Sequence, residues 1–270
     1  MKMTVLSDNT PWENLRGEWG LSIFIEYEGK TVLLDTGGSA LFSENAEKLG
    51  LDLKKVDLGV LSHAHYDHSL GLGPFFKAND TALFYLAEKA KPDCYKKVWI
   101  LKKYIGIPKR IEKTYAERFR YVTENTSPAP GVHLIPHHTE NLMKLGEREK
   151  MFRKTEKGFV YDDFSHELSL VFETEKGLLI FNSCSHGGVD NIIREVREAL
   201  PGKPVYGYVG GLHLFNKTEE EVRKVAEKIR ESGISYVCTG HCTKDIAYGI
   251  LKEELGDVIH PLHVGLTAEF

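Results

Sequence analysis

VDLGVLSHAHYDH, residues 56–68, sets four metal-ligand side chains within six positions directly after a short apolar run. The apolar half, 56–61, reads as a short buried strand. In extended backbone, residues two apart point the same way, so His63 and His65 converge on one side of the chain. Asp67 and His68 are adjacent and would point apart if extended, but a turning loop lets both face a second ion beside the first. Imidazole and carboxylate donors suit zinc, with manganese and iron(II) as the alternatives. The stretch therefore predicts a metal centre at a strand end.

More ligands are needed, and other strand ends offer them. SCSHGG (183–188) follows the apolar run GLLIFNS, GGLH (210–213) follows VYGYV, and GHC (240–242) follows ISYVCT. A histidine beside glycine just past a buried strand is what a loop-borne site requires. His186, His213, His241 and Cys184 are the candidates.

The rest of the chain repeats one pattern twice. Residues 21–35 read as a hairpin turning at Glu28-Gly29-Lys30, and 41–50 as a helix ending at Gly50. Residues 167–174 and 177–183 form a second hairpin around Glu175-Lys176-Gly177. A helix at about 189–200 follows, then a strand at 204–209, a helix at 217–232 and a strand at 234–239. Strand pairs alternating with helices, twice over, predict an α/β chain: two mixed β-sheets packed face to face, with helices outside. Residues 84–130 interrupt the pattern and are expected to be a helical insertion or lid within a single domain spanning 1–270. Between Lys96 and Arg120 nine Lys or Arg face Glu112 and Glu117, a balance of +7, which leaves −11 on the rest of a chain whose net charge is −4. That run is either a solvated basic face or a lid whose cations, Lys102, Lys103, Lys109 and Arg110 among them, meet an anionic substrate.

A net charge of −4 gives no global reason to expect nucleic acid or an anionic membrane as partner. No stretch reaches the ~18 apolar residues of a membrane span, and the first ten residues lack the pattern of a cleaved leader. Four scattered cysteines do not read as a disulfide framework, so a reducing cytoplasm is the expected setting. Burial as inert thiols is the expectation for Cys94 and Cys238. Gln is absent while Lys and Glu are plentiful, a bias shared with proteins of hot-growing organisms.

HAHYDH has the HxHxDH form of the metallo-β-lactamase superfamily, and the chain resembles that family over nearly its whole length. LLDTG (33–37) is similar to the family's first motif, whose aspartate, here Asp35, supports the metal loop. Gly240-His241 is similar to its last ligand motif. The resemblance implies a four-layer αβ/βα sandwich and two divalent transition metal ions. NSCSHGGVDNI, GGLHL and GHCT together resemble the branch named for dihydropterin ribofuranosylaminobenzene-phosphate synthase. The usual fourth motif carries an aspartate that bridges the metals; alignment places Cys184 there, while His186, two residues on, is the competing ligand. The usual third motif falls by spacing near Asp163, with His166 close by.

From this, the sequence predicts a metallohydrolase that uses a metal-bridging hydroxide on a phosphoester or related small anion. Asp67 orients the nucleophile while ligating, and His213 donates a proton to the leaving group. The alternatives are a pterin-pathway transferase or synthase, suggested by the branch name, and an RNA-processing nuclease. Oligomeric state is not legible.

Overall fold

The computed structural model describes residues 1–91 and 93–270. Two seven-stranded sheets form its centre. The first runs Thr267–Glu269, Lys2–Ser7, Ser22–Tyr27, Lys30–Leu34, Leu58–Val60, Leu83–Ala87, Phe119–Val122 in spatial order. The second runs Ile259–Pro261, Tyr236–Thr239, Val205–Val209, Gly177–Phe181, Leu168–Thr174, Val132–Pro136, Thr126–Ala129. Each sheet is antiparallel in one half and parallel in the other, so the repeated pattern of the sequence becomes two similarly built sheets.

Strand alternation assembles the layers. Ile23, Ile25, Val32 and Leu34 point between the sheets and meet Leu170, Phe172, Leu179 and Phe181 there. Their neighbours Phe24 and Leu33 point outward, where Phe42 and Phe75 of the helices Leu41–Lys48 and Leu72–Ala78 cover them. On the far side Val171, Leu178 and Ile180 pack against Ile192, Val196, Val222, Ile229 and Leu251 from the helices Val189–Ala199, Glu219–Ser232 and Lys244–Leu255. Strands buried on both faces carry continuous apolar runs, which is what the sequence shows. The architecture is the expected helix–sheet–sheet–helix sandwich.

The expected turns and caps are in place. Glu28 and Gly29 both have positive φ, 47° and 75°, as a two-residue hairpin turn requires. Thr218 and Glu221 form a reciprocal capping box at the start of Glu219–Ser232, and Gly233 closes its end in left-handed geometry.

The insertion differs from the helical unit expected at 84–130. Its first and last parts are strands of the two main sheets. The middle is a β-hairpin, Asp93–Val98 with Leu101–Tyr104, joined to Met151–Thr155 and Gly158–Tyr161 in a separate four-stranded sheet. Only Lys109–Thr114 of the basic run is α-helical. The strand that completes this sheet lies about fifty residues downstream, a non-local pairing that local pattern does not reveal. Trp99 and Ile100 form the hairpin tip, 91% and 90% exposed. No helix among the described residues is long and apolar enough to cross a membrane.

A buried histidine–glutamate contact ties the helical layer to its sheet. Glu195, on Val189–Ala199, accepts hydrogen bonds from Thr139 Oγ1 at 2.6 Å and pairs with His137 Nδ1 at 2.6 Å. Burial opposes its ionisation, but His137 and Thr139 hold the carboxyl down to about 2. A carboxylate held below its unfolded value stabilises the fold above that value and loses this contribution as pH falls through the folded one. Stability should therefore fall between the ordinary glutamate range near pH 4.5 and pH 2. Glu195→Gln should destabilise the protein at pH 7 and narrow its difference from wild type at pH 3, read by denaturant titration at both. Equal destabilisation at the two pH values would place the acid sensitivity elsewhere.

Candidate metal centre

The HAHYDH segment leaves Leu58–Val60, bends at residues 62–64 and, with His65 extended, turns into the short helix Tyr66–Ser69. That turn brings His68 back beside His63, their ring centroids 4.2 Å apart, and sets Asp67 near His68 and His241. Asp67 Oδ2 lies 3.7 Å from His68 Nε2 and 3.7 Å from His241 Nε2. Donors on a tetrahedral ion with ~2.0–2.2 Å bonds stand roughly 3.3–3.6 Å apart, so these three sit at ligand spacing. His63, His65 and His186 form the neighbouring group, their donor atoms within 4.8 Å of one another. Cys184 joins the two groups. Its Sγ is 3.4 Å from His68 Nε2, and it shares a cluster with His63 and His68. Both candidates from residues 183–188 thus face the site, in different places.

The loop that carries them is tightly built. Asn182 Oδ1 accepts the backbone N–H groups of Cys184 and Ser185, and Glu167 accepts those of His186 and Gly187. Ser185 is left-handed, with φ 56°. The two glycines before His213 serve packing against this loop. A Cβ at Gly210 would lie 1.9 Å from the carbonyl oxygen of Asn182, and one at Gly211 would lie 2.4 Å from Cys242 Sγ. His213 follows, with φ 51°, and its donor atoms lie within 4.8 Å of those of Cys184 and His186.

Hydrogen bonds on the far side of each ring set which nitrogen faces inward. His68 Nδ1 donates to Asp35 Oδ2 at 2.8 Å, His63 Nδ1 meets Ser62 Oγ at 2.9 Å, and His241 Nδ1 meets Asn9 Oδ1 at 3.2 Å. Asp35 thus takes the supporting role expected of it. Burial pushes His63, His65 and His186 well below the ordinary histidine value and His241 down to about 3. These rings are neutral at pH 7, the form that ligates metal. At His68 burial acts in the same direction, but the carboxylates of Asp67 and Asp35 outweigh it and the net shift is upward.

The fit to metal rests on unpaired atoms. Among the described residues, nine buried side-chain nitrogen or oxygen atoms have no hydrogen-bond partner; seven belong to His63, His65, His186, His213 and His241. Buried polar groups are rarely left unpaired, and the rings of His63, His65, His186 and His241, unpaired together in one cluster, fit an occupant that accepts lone pairs.

The two candidates near the third motif separate: Asp163 stands apart from the cluster, and His166 sits against it. Asp163 faces away, bound to Arg153 Nη1 at 2.6 Å. Its neighbour Asp162 turns inward and meets His166 Nε2 at 3.2 Å. His166 Nδ1 accepts the Ala64 N–H at 3.2 Å, so both ring nitrogens are committed. His166 braces the backbone between His63 and His65, and His186 stands with those two histidines. Cys94 is buried as expected, in a cluster with His65, Asp162 and His166.

Sequence reading did not single out Asp8 and Asn9, which hold His241 from the end of Lys2–Ser7. Their position just past a strand was the available signal. Nor did it find the cavity walls. A cavity of about 190 Å³ opens onto the cluster, lined by Trp19, Tyr66, Lys96, Ile105, Met151 and Phe215 beside the histidines. Of the basic run only Lys96 reaches it. Lys102 lies over the rings of Phe152 and Phe159, and Lys109 pairs with Asp93.

Residues 19–150 match the family model of the metallo-beta-lactamase superfamily. A Methanocaldococcus jannaschii protein named 7,8-dihydropterin-6-methyl-4-(beta-D-ribofuranosyl)-aminobenzene-5'-phosphate synthase is 28% identical over 269 residues, covering 93% of this chain and 90% of that one. The crystal structure of Tm1679, described as a metal-dependent hydrolase of the beta-lactamase superfamily, superposes with a TM-score of 0.86 at 28% identity, covering 100% of this chain and 99% of the other. A diphosphatase of the PhnP family shares the fold, with a TM-score of 0.56 at 19% identity over 100% of this chain and 97% of that one.

Freshly purified protein should carry up to two equivalents of transition metal, and His65→Ala should lose at least one, measured by elemental analysis. No metal in either protein after reconstitution would contradict the ligand assignment.

Proposed function

Because this chain belongs to the metallo-β-lactamase superfamily, we propose that its histidine cluster binds divalent transition metal ions, zinc foremost, and serves a group-transfer enzyme of the dihydropterin–aminobenzene synthase kind. Hydrolysis of a phosphoester was the reading favoured by the sequence motifs. The 28% identity to the named synthase across 93% of the chain supports the transfer reading better. That relative's name describes a dihydropterin-6-methyl group joined to an aminobenzene that carries ribofuranose 5'-phosphate.

The observation that carries the reading is the rim of the cavity. Trp19, Tyr66 and Phe215 are each between 37% and 40% exposed beside the ligand cluster, and Lys96 Nζ lies 6.0 Å from the Phe215 ring centroid. Aromatic side chains and one cation beside a polar floor suit a flat ring with an anionic tail. A small anionic substrate fits this cavity better than RNA, since the remaining cations of the basic run do not line it.

Joining the two parts requires the aminobenzene nitrogen to displace a leaving group from the methyl carbon and to lose a proton. Bound divalent ions supply charge neutralisation for an anionic leaving group. Trp19 and Phe215 hold the ring, Lys96 meets the phosphate, and Ile105 and Met151 keep water from the reacting atoms. His213, a buried ring on the cavity wall beside Cys184 and His186, carries the proton.

The test is incubation with a dihydropterin bearing a leaving group on its 6-methyl carbon and with ribofuranosylaminobenzene 5'-phosphate. The expected product is the joined molecule. Turnover of chromogenic phosphodiesters without any joined product would restore the hydrolase reading. His213→Ala should keep its metal and lower kcat by about 10²–10⁴-fold, the usual contribution of a proton-transfer residue. Loss of a metal equivalent in this variant would make His213 a ligand instead.

A further inference from the structure

We propose that Cys242 is a metal ligand alongside Cys184, so that a pair of thiolates stands where the common superfamily pattern has one bridging carboxylate. This rests on the metal-binding reading above and adds a donor that the ligand motifs do not include.

The two sulfurs lie 3.5 Å apart and both residues are buried. Two thiolates on one tetrahedral ion with ~2.3 Å bonds stand roughly 3.8 Å apart, so the separation matches shared ligation, whereas a disulfide would bring them to ~2.0 Å. The donor atoms of Cys184, Cys242 and His241 fall within 4.8 Å of one another, and His241 Nε2 is among the unpartnered atoms of the cluster. Cys184 Sγ also touches His68 Nε2 at 3.4 Å. The sulfurs thus join a continuous donor set with Asp67, His68 and His241.

The surroundings of Cys242 are shaped to a sulfur that faces the site. The His213 backbone N–H donates to Cys242 Sγ at 3.3 Å, the arrangement that supports a metal-bound thiolate from outside. Gly211 leaves room for that sulfur, because any Cβ there would lie 2.4 Å from it. Cys238, four residues earlier, provides the contrast: its sulfur bonds the Pro261 carbonyl oxygen at 3.5 Å, away from the cluster.

Three anionic donors, Asp67, Cys184 and Cys242, then serve the centre. Soft sulfur ligands select zinc or iron(II) over manganese and magnesium. They also neutralise more of the cation charge than a single bridging carboxylate does, which weakens activation of water and so favours transfer over hydrolysis.

Cobalt(II) substitution tests this directly, because sulfur-to-cobalt charge transfer absorbs strongly in the near ultraviolet and histidine does not produce it. The wild-type holoprotein should show the band, Cys242→Ser and Cys184→Ser should each lose about half of it, and Cys238→Ser should keep all of it. Full retention in Cys242→Ser would overturn the proposal. If the serine variants fail to fold, X-ray absorption at the zinc edge of the wild type decides: with two zinc ions per protein, an average of about one sulfur scatterer per zinc supports the pair, and about half of one or none refutes it. A failed joining assay would leave these spectra unchanged. A wild type that binds no cobalt at all would refute the metal reading together with this one.

Discussion

Asp35 is a fully buried carboxylate on which the two halves of the molecule meet. Its Oδ2 accepts hydrogen bonds from Ser62 Oγ at 2.6 Å, His68 Nδ1 at 2.8 Å and Ser183 Oγ at 2.6 Å, and its Oδ1 accepts the Ser62 N–H at 2.7 Å. The residue follows a strand of the first sheet, Ser62 precedes the HAHYDH segment and His68 ends it, and Ser183 belongs to the loop leaving the second sheet. A buried charge is tolerated only when it is fully hydrogen-bonded and paired. Meeting that demand fixes the ligand-bearing loops of both sheets against one another. It also determines which nitrogen of His68 faces the cluster.

Around this point the backbone departs from its easy conformations. Asp35, Ser185, His213 and His241 have φ values of 55°, 56°, 51° and 50°. Non-glycine residues held left-handed cost stability and persist where the surroundings over-determine them, commonly at functional sites. Here each one turns the chain at the end of a buried strand so that a side chain faces the shared cluster. The sheets supply rigidity, the strained turns supply aim, and the second layer of Asn9, Ser62, Asn182 and Glu167 holds the result.

What was legible in the sequence follows from locality. The HAHYDH spacing, the hairpins and the histidines just past apolar runs are local signals, and the structure gathers His63, His65, Asp67, His68, Cys184, His186, His213 and His241 into one place. Choices one residue apart were not legible. Asp162 and Asp163 have the same chemistry, and they are told apart only by contacts made in the folded chain, Asp162 with His166 and Asp163 with Arg153. The insertion was misjudged as helical because its hairpin pairs with Met151–Thr155, far downstream. The glycines at 210 and 211 admit the Asn182–Ser183 backbone and the sulfur of Cys242, contacts between loops that meet only in the folded chain.

The central claim is that these loops close around two ions. Crystals of the zinc-loaded protein, measured above and below the zinc absorption edge, test it most directly. The account predicts two anomalous peaks, one among His63, His65 and His186 and one among Asp67, His68 and His241. Peaks confined to surface histidines, or no peak within the cluster, would contradict it.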